Sequence, residues 1–497
     1  MLKILFISPE MEPIAKVGGL ADVIGALPKT LKGLGCDVRV VMPLYKHAKD
    51  NLKRFNLPSR EINEDVITCI DSLPIEGEIL ETEIDGVTVY LLKNDSLYDR
   101  EYIYSTPSGD YDDNDLRFAF LSLGALEITK ALDFKPDVIH CHDWQTALVP
   151  ACLKFRKHLK DDLFFHGSKI VFTIHNLAYQ GQFGKEILDE LALPWFLFTP
   201  QGIEFYGKVN LLKGGIVYSD IVTTVSRTYA EEIKTPQYGC GLDGILRAIS
   251  NHTNKLVGII NGIDNDEWNP EKDSALYANY SVDSIERRLE NKFRLRNDLG
   301  LSIANDKPLL GMVSRLTEQK GTDLIAESLS QIFDLGFQVV ILGSGEEKFE
   351  RMLQAAKKRD PENMAVITGF NDDVARRIYA GSDFFLMPSR FEPCGLGQMI
   401  AMRYGSIPVV RGTGGLLDTV VDYNSSKQKS NGFVFNEFSK VGFLDALVRG
   451  LSLYEKKEEW KRLVIRAMRE DFSWKRSSEL YLELYRSLKS TDVKGEG

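Results

Sequence analysis

Short apolar runs, many of them β-branched, recur along the whole chain. Lys3–Ser8, Asp37–Met42, Val87–Leu92, Val138–Cys141, Ile170–Thr173 and Ile221–Val225 form a first series. After a gap come Leu256–Ile260, Leu309–Met312, Val339–Leu342, Met364–Thr368, Phe384–Met387 and Ile407–Val410. Most are continuous rather than alternating, the pattern of strands buried on both faces of a parallel sheet. Between them the spacing turns helical. Leu20, Val23, Ile24, Leu27, Leu31 and Leu34 share one face, with a kink expected at Pro28. Asp323–Phe333, Lys348–Lys358 and Phe443–Tyr454 read the same way.

Alternating β and α segments imply open α/β sheets, and the strands are too numerous for one ordinary sheet. Two α/β domains follow. The boundary is expected near His252–Leu256, giving residues 1–254 and 255–474, with 475–497 as a last helical stretch and a frayed tail from Lys489. Ligands of such sheets bind outside the carboxyl ends of the strands, at topological switch points. Loops that follow strands are therefore where chemistry is expected.

The formal net charge of −10 argues against a general nucleic-acid binder, which carries a basic face. Cys36, Cys69, Cys141, Cys152, Cys240 and Cys394 form no CxxC pair, so neither a zinc ribbon nor a disulfide framework is suggested. Pro9, Glu10 and Glu12 follow the opening apolar run at once, so it reads as a first strand and not a leader. No run approaches the roughly 18 residues of a membrane span. A soluble, cytoplasmic protein is expected.

Four strand-end segments can carry chemistry. Lys16-Val-Gly-Gly-Leu20 precedes a helix, where glycines permit close ligand approach and free amides suit phosphate; a plain strand-to-helix turn is an equal reading. His140-Cys-His-Asp-Trp144 lacks the spacing of a metal site and reads as a substrate-binding loop; at the similar strand end Thr173-Ile-His-Asn176, His175 can hydrogen-bond sugar hydroxyls, a structural histidine being the commoner reading of such a residue alone. Ser314-Arg-Leu-Thr-Glu-Gln-Lys-Gly321 supplies Arg315 and Lys320, paired cations suited to a diphosphate leaving group. Pro388-Ser-Arg-Phe-Glu-Pro-Cys-Gly-Leu396 sets Glu392 in a stiff turn, and Gly412-Thr-Gly-Gly-Leu416 repeats the glycine theme with Thr413, Gly414 and Gly415. Cys394 has no base beside it in sequence and is set aside as a nucleophile.

Taken in order, KVGGL, HCHDW, TIHNLAYQG, NGIDNDEWNP, SRLTEQKG, PSRFEPCG and GTGGL resemble the motifs of bacterial glycogen synthases and plant starch synthases, from Ser8 to about Trp474. The resemblance implies a GT-B fold, two Rossmann-like domains whose parallel sheets face an interdomain cleft, with the last helix crossing back to the N-terminal domain. It implies transfer of glucose from a nucleotide donor to the non-reducing end of an α-1,4-glucan, with retention and with neither metal nor cofactor. Lys16, Gly18 and Gly19 would contact donor phosphate and glucose, and Arg315 and Lys320 the diphosphate. Glu392 would hold the glucosyl hydroxyls beside the amides of Cys394, Gly395 and Leu396. His175 would bind glucose and steady an oxocarbenium-like transition state. Asp143 and Asn261 would shape the sugar pocket, and Tyr379 would stack on the nucleobase.

One departure stands out: Val17 occupies the position where many bacterial members carry Thr. ADP-glucose is the expected donor, with UDP-glucose the alternative. Rival readings are a GT-B transferase with a small acceptor, a glucan phosphorylase and a non-catalytic glucan-binding protein. The sequence is silent on oligomeric state.

Overall fold

A computed structural model describes residues 1–106, 108–304 and 306–490. The chain forms two compact units, each built on its own sheet.

The first unit holds a nine-stranded sheet. Its strands are β1 (Lys3–Ile7), β2 (Asp37–Pro43), β3 (Ser59–Ile70), β4 (Leu73–Ile84), β5 (Val87–Lys93), β6 (Val138–His142), β7 (Lys169–Ile174), β8 (Ile221–Thr224) and β9 (Leu256–Gly258). The spatial order is β9-β8-β7-β6-β1-β2-β5-β4-β3. All neighbours from β9 to β5 run parallel. Ile4, Leu5, Phe6 and Ile7 are fully enclosed at the centre, as a continuous apolar run demands.

The hairpin β3–β4 is antiparallel and lies outside the expected strands. Val66, Thr68 and Ile70 alternate with exposed positions, the period-two pattern of a sheet with one wet face. Asp71 and Ser72, both at positive φ, make its two-residue turn.

The second unit holds a six-stranded sheet, parallel throughout. Its strands are β10 (Leu309–Val313), β11 (Gln338–Gly343), β12 (Met364–Thr368), β13 (Phe384–Met387), β14 (Ile407–Arg411) and β15 (Phe433–Phe435). Their order is β12-β11-β10-β13-β14-β15.

Each sheet reverses its direction of winding once. In the first, the chain leaves β1 toward β2 on one side and returns to β6 on the other. In the second, the reversal falls between β10 and β13. The loops after β1, β6, β10 and β13 therefore flank the two switch points, and they are the segments that carry most of the candidate residues.

Three expectations need correction. The run beginning at Leu256 does not open the second domain, because β9 pairs with β8 and completes the first sheet. The division falls after Ile259, with Ser226–Tyr229 grouped in the second unit and the chain from Trp474 in the first. The helix Gly19–Gly33 passes through Pro28 without interruption. The last helix, Trp474–Ser490, packs on Gly19–Gly33 and includes Lys489, whose ammonium pairs with Asp137. The remaining tail residues, 491–497, lie outside the described residues. No helix among the described residues is long and apolar enough to cross a membrane.

Candidate active site

At the first switch point, the turn after β1 is organised by Glu10, a residue the sequence did not single out. Its carboxylate accepts from the amides of Val17 (2.6 Å) and Gly18 (3.0 Å) and from the Tyr104 hydroxyl (2.5 Å). Burial raises its pKa against these bonds and against the nearby Lys16. The Val17 and Gly18 amides are thus already bonded and do not both stand free for phosphate. The ammonium of Lys16 lies 2.5 Å from Glu12 and 2.8 Å from Asp22. Burial works against that charge, but the two carboxylates outweigh it and keep the lysine protonated. A Cβ built on Gly18 or Gly19 meets nothing within 4 Å, so packing within the chain does not require glycine there.

Across the same switch point, the end of β6 sets His140 and His142 on one face, as two residues apart on a strand must be. Their rings stand 4.1 Å apart. His142 Nδ1 is 3.0 Å from His175 Nε2. His140 contacts Thr173 Oγ1 (2.6 Å) through Nε2 and the Tyr485 hydroxyl (2.8 Å) through Nδ1. Burial depresses all three imidazole pKa values, that of His175 to about 3, so the rings are neutral near pH 7.

Asp143 follows at φ 56°, ψ −177°, a region essentially reserved for glycine. The strain is held by hydrogen bonds: its amide donates to Thr173 O (3.0 Å), and its carboxylate accepts from the His175 amide (2.8 Å). Burial pushes the carboxyl pKa up to about 7. Asp143 and His175, far apart in sequence, are thereby one unit.

At the second switch point, Lys320 Nζ lies 2.6 Å from Glu392 Oε2, which also accepts from Ser389 Oγ at 3.0 Å. Glu392 is only 5% exposed. Arg315 is exposed and, among the described residues, has no carboxylate within ion-pair distance. The two cations therefore differ: one is matched by a carboxylate and the other is open. Gly321 sits at φ 72°, where a Cβ would fall 2.2 Å from Pro388 O, so this glycine lets the cation-bearing loop close on the Glu392 loop.

The glycine turn after β14 supports the Glu392 loop from behind. A Cβ on Gly414 would stand 1.9 Å from Glu392 O, and one on Gly415 2.1 Å from Cys394 O. The Gly415 amide donates to the carbonyls of Glu392 (3.1 Å) and Pro393 (3.2 Å), and Thr413 is buried. Thr413, Gly414 and Gly415, expected to contact substrate, thus also have a packing role. Gly395, at φ 75°, is braced by Gln398, whose amide donates to Gly395 O at 2.7 Å. Leu396 leads into the helix Gly397–Arg403. Cys394 accepts from the Asn261 amide, and burial pushes its thiol up to about 12, which suits no nucleophile. Asn261 is buried, and its side-chain oxygen has no hydrogen-bond partner among the described residues.

Tyr379 does not present a face for a nucleobase. It is 5% exposed and packs among Phe385, Trp268 and Tyr404, with the Phe385 ring 4.9 Å away. The open ring at this sheet edge belongs to Phe370, 83% exposed just beyond β12. Among the described residues, no group of three or more His, Cys, Asp or Glu is arranged to hold a metal ion.

Comparison with known proteins agrees with this geometry. The starch synthase catalytic domain family matches residues 3–248, and the glycosyl transferases group 1 family matches residues 295–465. A glycogen synthase of Geotalea daltonii is 48% identical over 98% of this chain and 98% of its own. That of Geotalea uraniireducens is 47% identical at the same coverage. The catalytic domain of starch synthase IV from Arabidopsis thaliana, bound to ADP and acarbose, superposes with a TM-score of 0.90 at 37% identity, covering 98% of this chain and 99% of that one. The fold is GT-B, each unit being Rossmann-like, and the chain belongs to the glycogen and starch synthase family of glycosyltransferases.

Proposed function

We propose that the chain transfers glucose from ADP-glucose to the non-reducing end of an α-1,4-glucan, with retention of configuration. The observation that carries this reading is the second switch point. There a matched cation–carboxylate pair, Lys320–Glu392, lies in the same loop system as the unmatched cation Arg315. A diphosphate leaving group gains negative charge as the glycosidic bond breaks. Fixed cations in a water-poor site stabilise that charge more than they stabilise the ground state. Arg315 and Lys320 are assigned this role. Glu392, held by Lys320 and Ser389, accepts hydrogen bonds from the glucosyl hydroxyls.

Retention can proceed by same-face substitution. The acceptor hydroxyl attacks the anomeric carbon on the side the diphosphate leaves, and a leaving phosphate oxygen takes its proton. His175, neutral and partly exposed, supplies a hydrogen bond to the sugar without adding charge. Phe370 replaces Tyr379 as the ring assigned to the nucleobase, since a base needs an open aromatic face. No metal or cofactor enters the reaction so described. A cytoplasmic location belongs to the same reading.

Nucleotide release from ADP-glucose and UDP-glucose, each with and without glycogen, tests the proposal. Glycogen-dependent release that lengthens the glucan supports it and names the donor. Donor-independent glucan binding with no release favours a binding protein, and release only with small acceptors favours another transferase.

A further inference from the structure

His142 has no part in the reaction as described above, yet it is in direct contact with His175. Its ring is fully buried and packs in one cluster with Phe6, nearly parallel at 13° and 5.5 Å, and with His140 at 4.1 Å, the Phe6 and His140 rings being 4.9 Å from each other. His140 is itself fixed through both nitrogens, by Thr173 and by Tyr485 of the last helix. Phe6 and His140 thus pack on His142 from adjoining sides, and its Nδ1 lies 3.0 Å from His175 Nε2.

The polarity of that hydrogen bond follows from the other nitrogen. His142 Nε2 is buried and, among the described residues, has no partner. If His175 were the donor, His142 would carry its proton on Nε2, leaving a buried N–H unsatisfied. If His142 donates from Nδ1, only a lone pair is left unmatched, and orphaned buried N–H groups are the rarer of the two. The second arrangement puts the His175 proton on Nδ1, the nitrogen with no partner among the described residues.

We infer that His142 is a positioning residue, which donates its Nδ1 proton to His175 Nε2 and so locks His175 as a neutral Nδ1–H tautomer, a hydrogen-bond donor to the sugar. The depressed pKa values of both rings keep the pair in this neutral form through physiological pH. The inference rests on the assignment of His175 to the sugar site.

Two measurements test it on the full-length protein. The chain has seven histidines, few enough for long-range proton–nitrogen spectra of imidazole-labelled protein. His175 in the wild type should show a protonated Nδ1 and a bare Nε2; a protonated Nε2 would overturn the inference whatever the enzyme's activity. The second measurement compares His142→Asn, whose amide can donate from nearly the Nδ1 position, with His142→Leu, which cannot. His142→Leu should lose roughly 10–100-fold in kcat, the scale of a misplaced catalytic group, with little change in the KM for ADP-glucose. His142→Asn should recover most of that loss at a similar Tm. Equal rates in the two variants would reduce His142 to packing. If the wild type releases no nucleotide, the proposed reaction fails, and the spectra still decide the tautomer.

Discussion

Glu392 and Lys320, remote in sequence, meet at 2.6 Å where the second sheet reverses its winding. The contact gives a physical reason for both residues. A carboxylate that is 5% exposed is costly without a cation, and the lysine gains a fixed direction from it. Each holds the other in place before any substrate arrives.

Removing either partner should therefore do more than delete one contact. Glu392→Ala and Lys320→Ala are each expected to lower kcat about 10²–10³-fold, the scale seen when one preorganised charge or donor is lost. The double variant should lose much less than the product of the two. Steady-state rates across the cycle check this, and full additivity would show that the pair does not act as a unit.

Gly18→Ala separates ligand approach from folding. The position has extended backbone and an empty Cβ direction, so the Tm should be unchanged. The KM for ADP-glucose should rise about tenfold, or ~1.4 kcal/mol of lost binding. Gly414→Ala is the counterpart: its Cβ would overlap Glu392 O, so both Tm and kcat should fall.

Phe370→Ala should weaken ADP-glucose binding by roughly tenfold, within the range for loss of one base–aromatic stack. Because the ring is 83% exposed, thermal stability should not change. Tyr379→Ala should do the reverse, lowering Tm through a cavity beside Phe385. Calorimetric titration with ADP distinguishes them.

Asp143 makes stability depend on pH. Its folded pKa near 7 lies above the unfolded value of about 4, so between these values the folded chain binds the extra proton. Stability should fall as pH rises through that window, being fully retained below it and lost above it. Asp143→Asn should flatten this slope. Denaturant midpoints at pH 5 and pH 8 check the difference, and an unchanged slope would assign the effect elsewhere.

The parts of the fold that could be read from the chain were those with one dominant physical signal. Strands buried on both faces announced themselves as continuous runs, and the loops after four of them gather at the two switch points. The hairpin β3–β4 is not legible as a buried strand because Val66-Ile-Thr-Cys-Ile70, although a short β-branched run, ends a strand whose earlier residues are largely charged, and only Val66, Thr68 and Ile70 of the run are buried. Tyr379 was misread although its own helix gave the answer: Ala375, Ile378 and Tyr379 are three and four apart, the spacing of a buried face. Phe370, a lone aromatic in a turn, belongs to no pattern. Glu10 reaches the Val17 and Gly18 amides because its turn folds back on itself, and His142 acts through a partner brought near by the sheet order; neither leaves a residue pattern in the local sequence.

The central claim is that this chain moves glucose from a nucleotide to a glucan by charge stabilisation around Lys320 and Glu392. The most direct measurement is ADP release from ADP-glucose, with and without glycogen, in the wild type, Glu392→Ala and Lys320→Ala. The account predicts release that requires glycogen, lengthens its chains and collapses in both variants. Release that is indifferent to glycogen, or that survives in both variants, would contradict it.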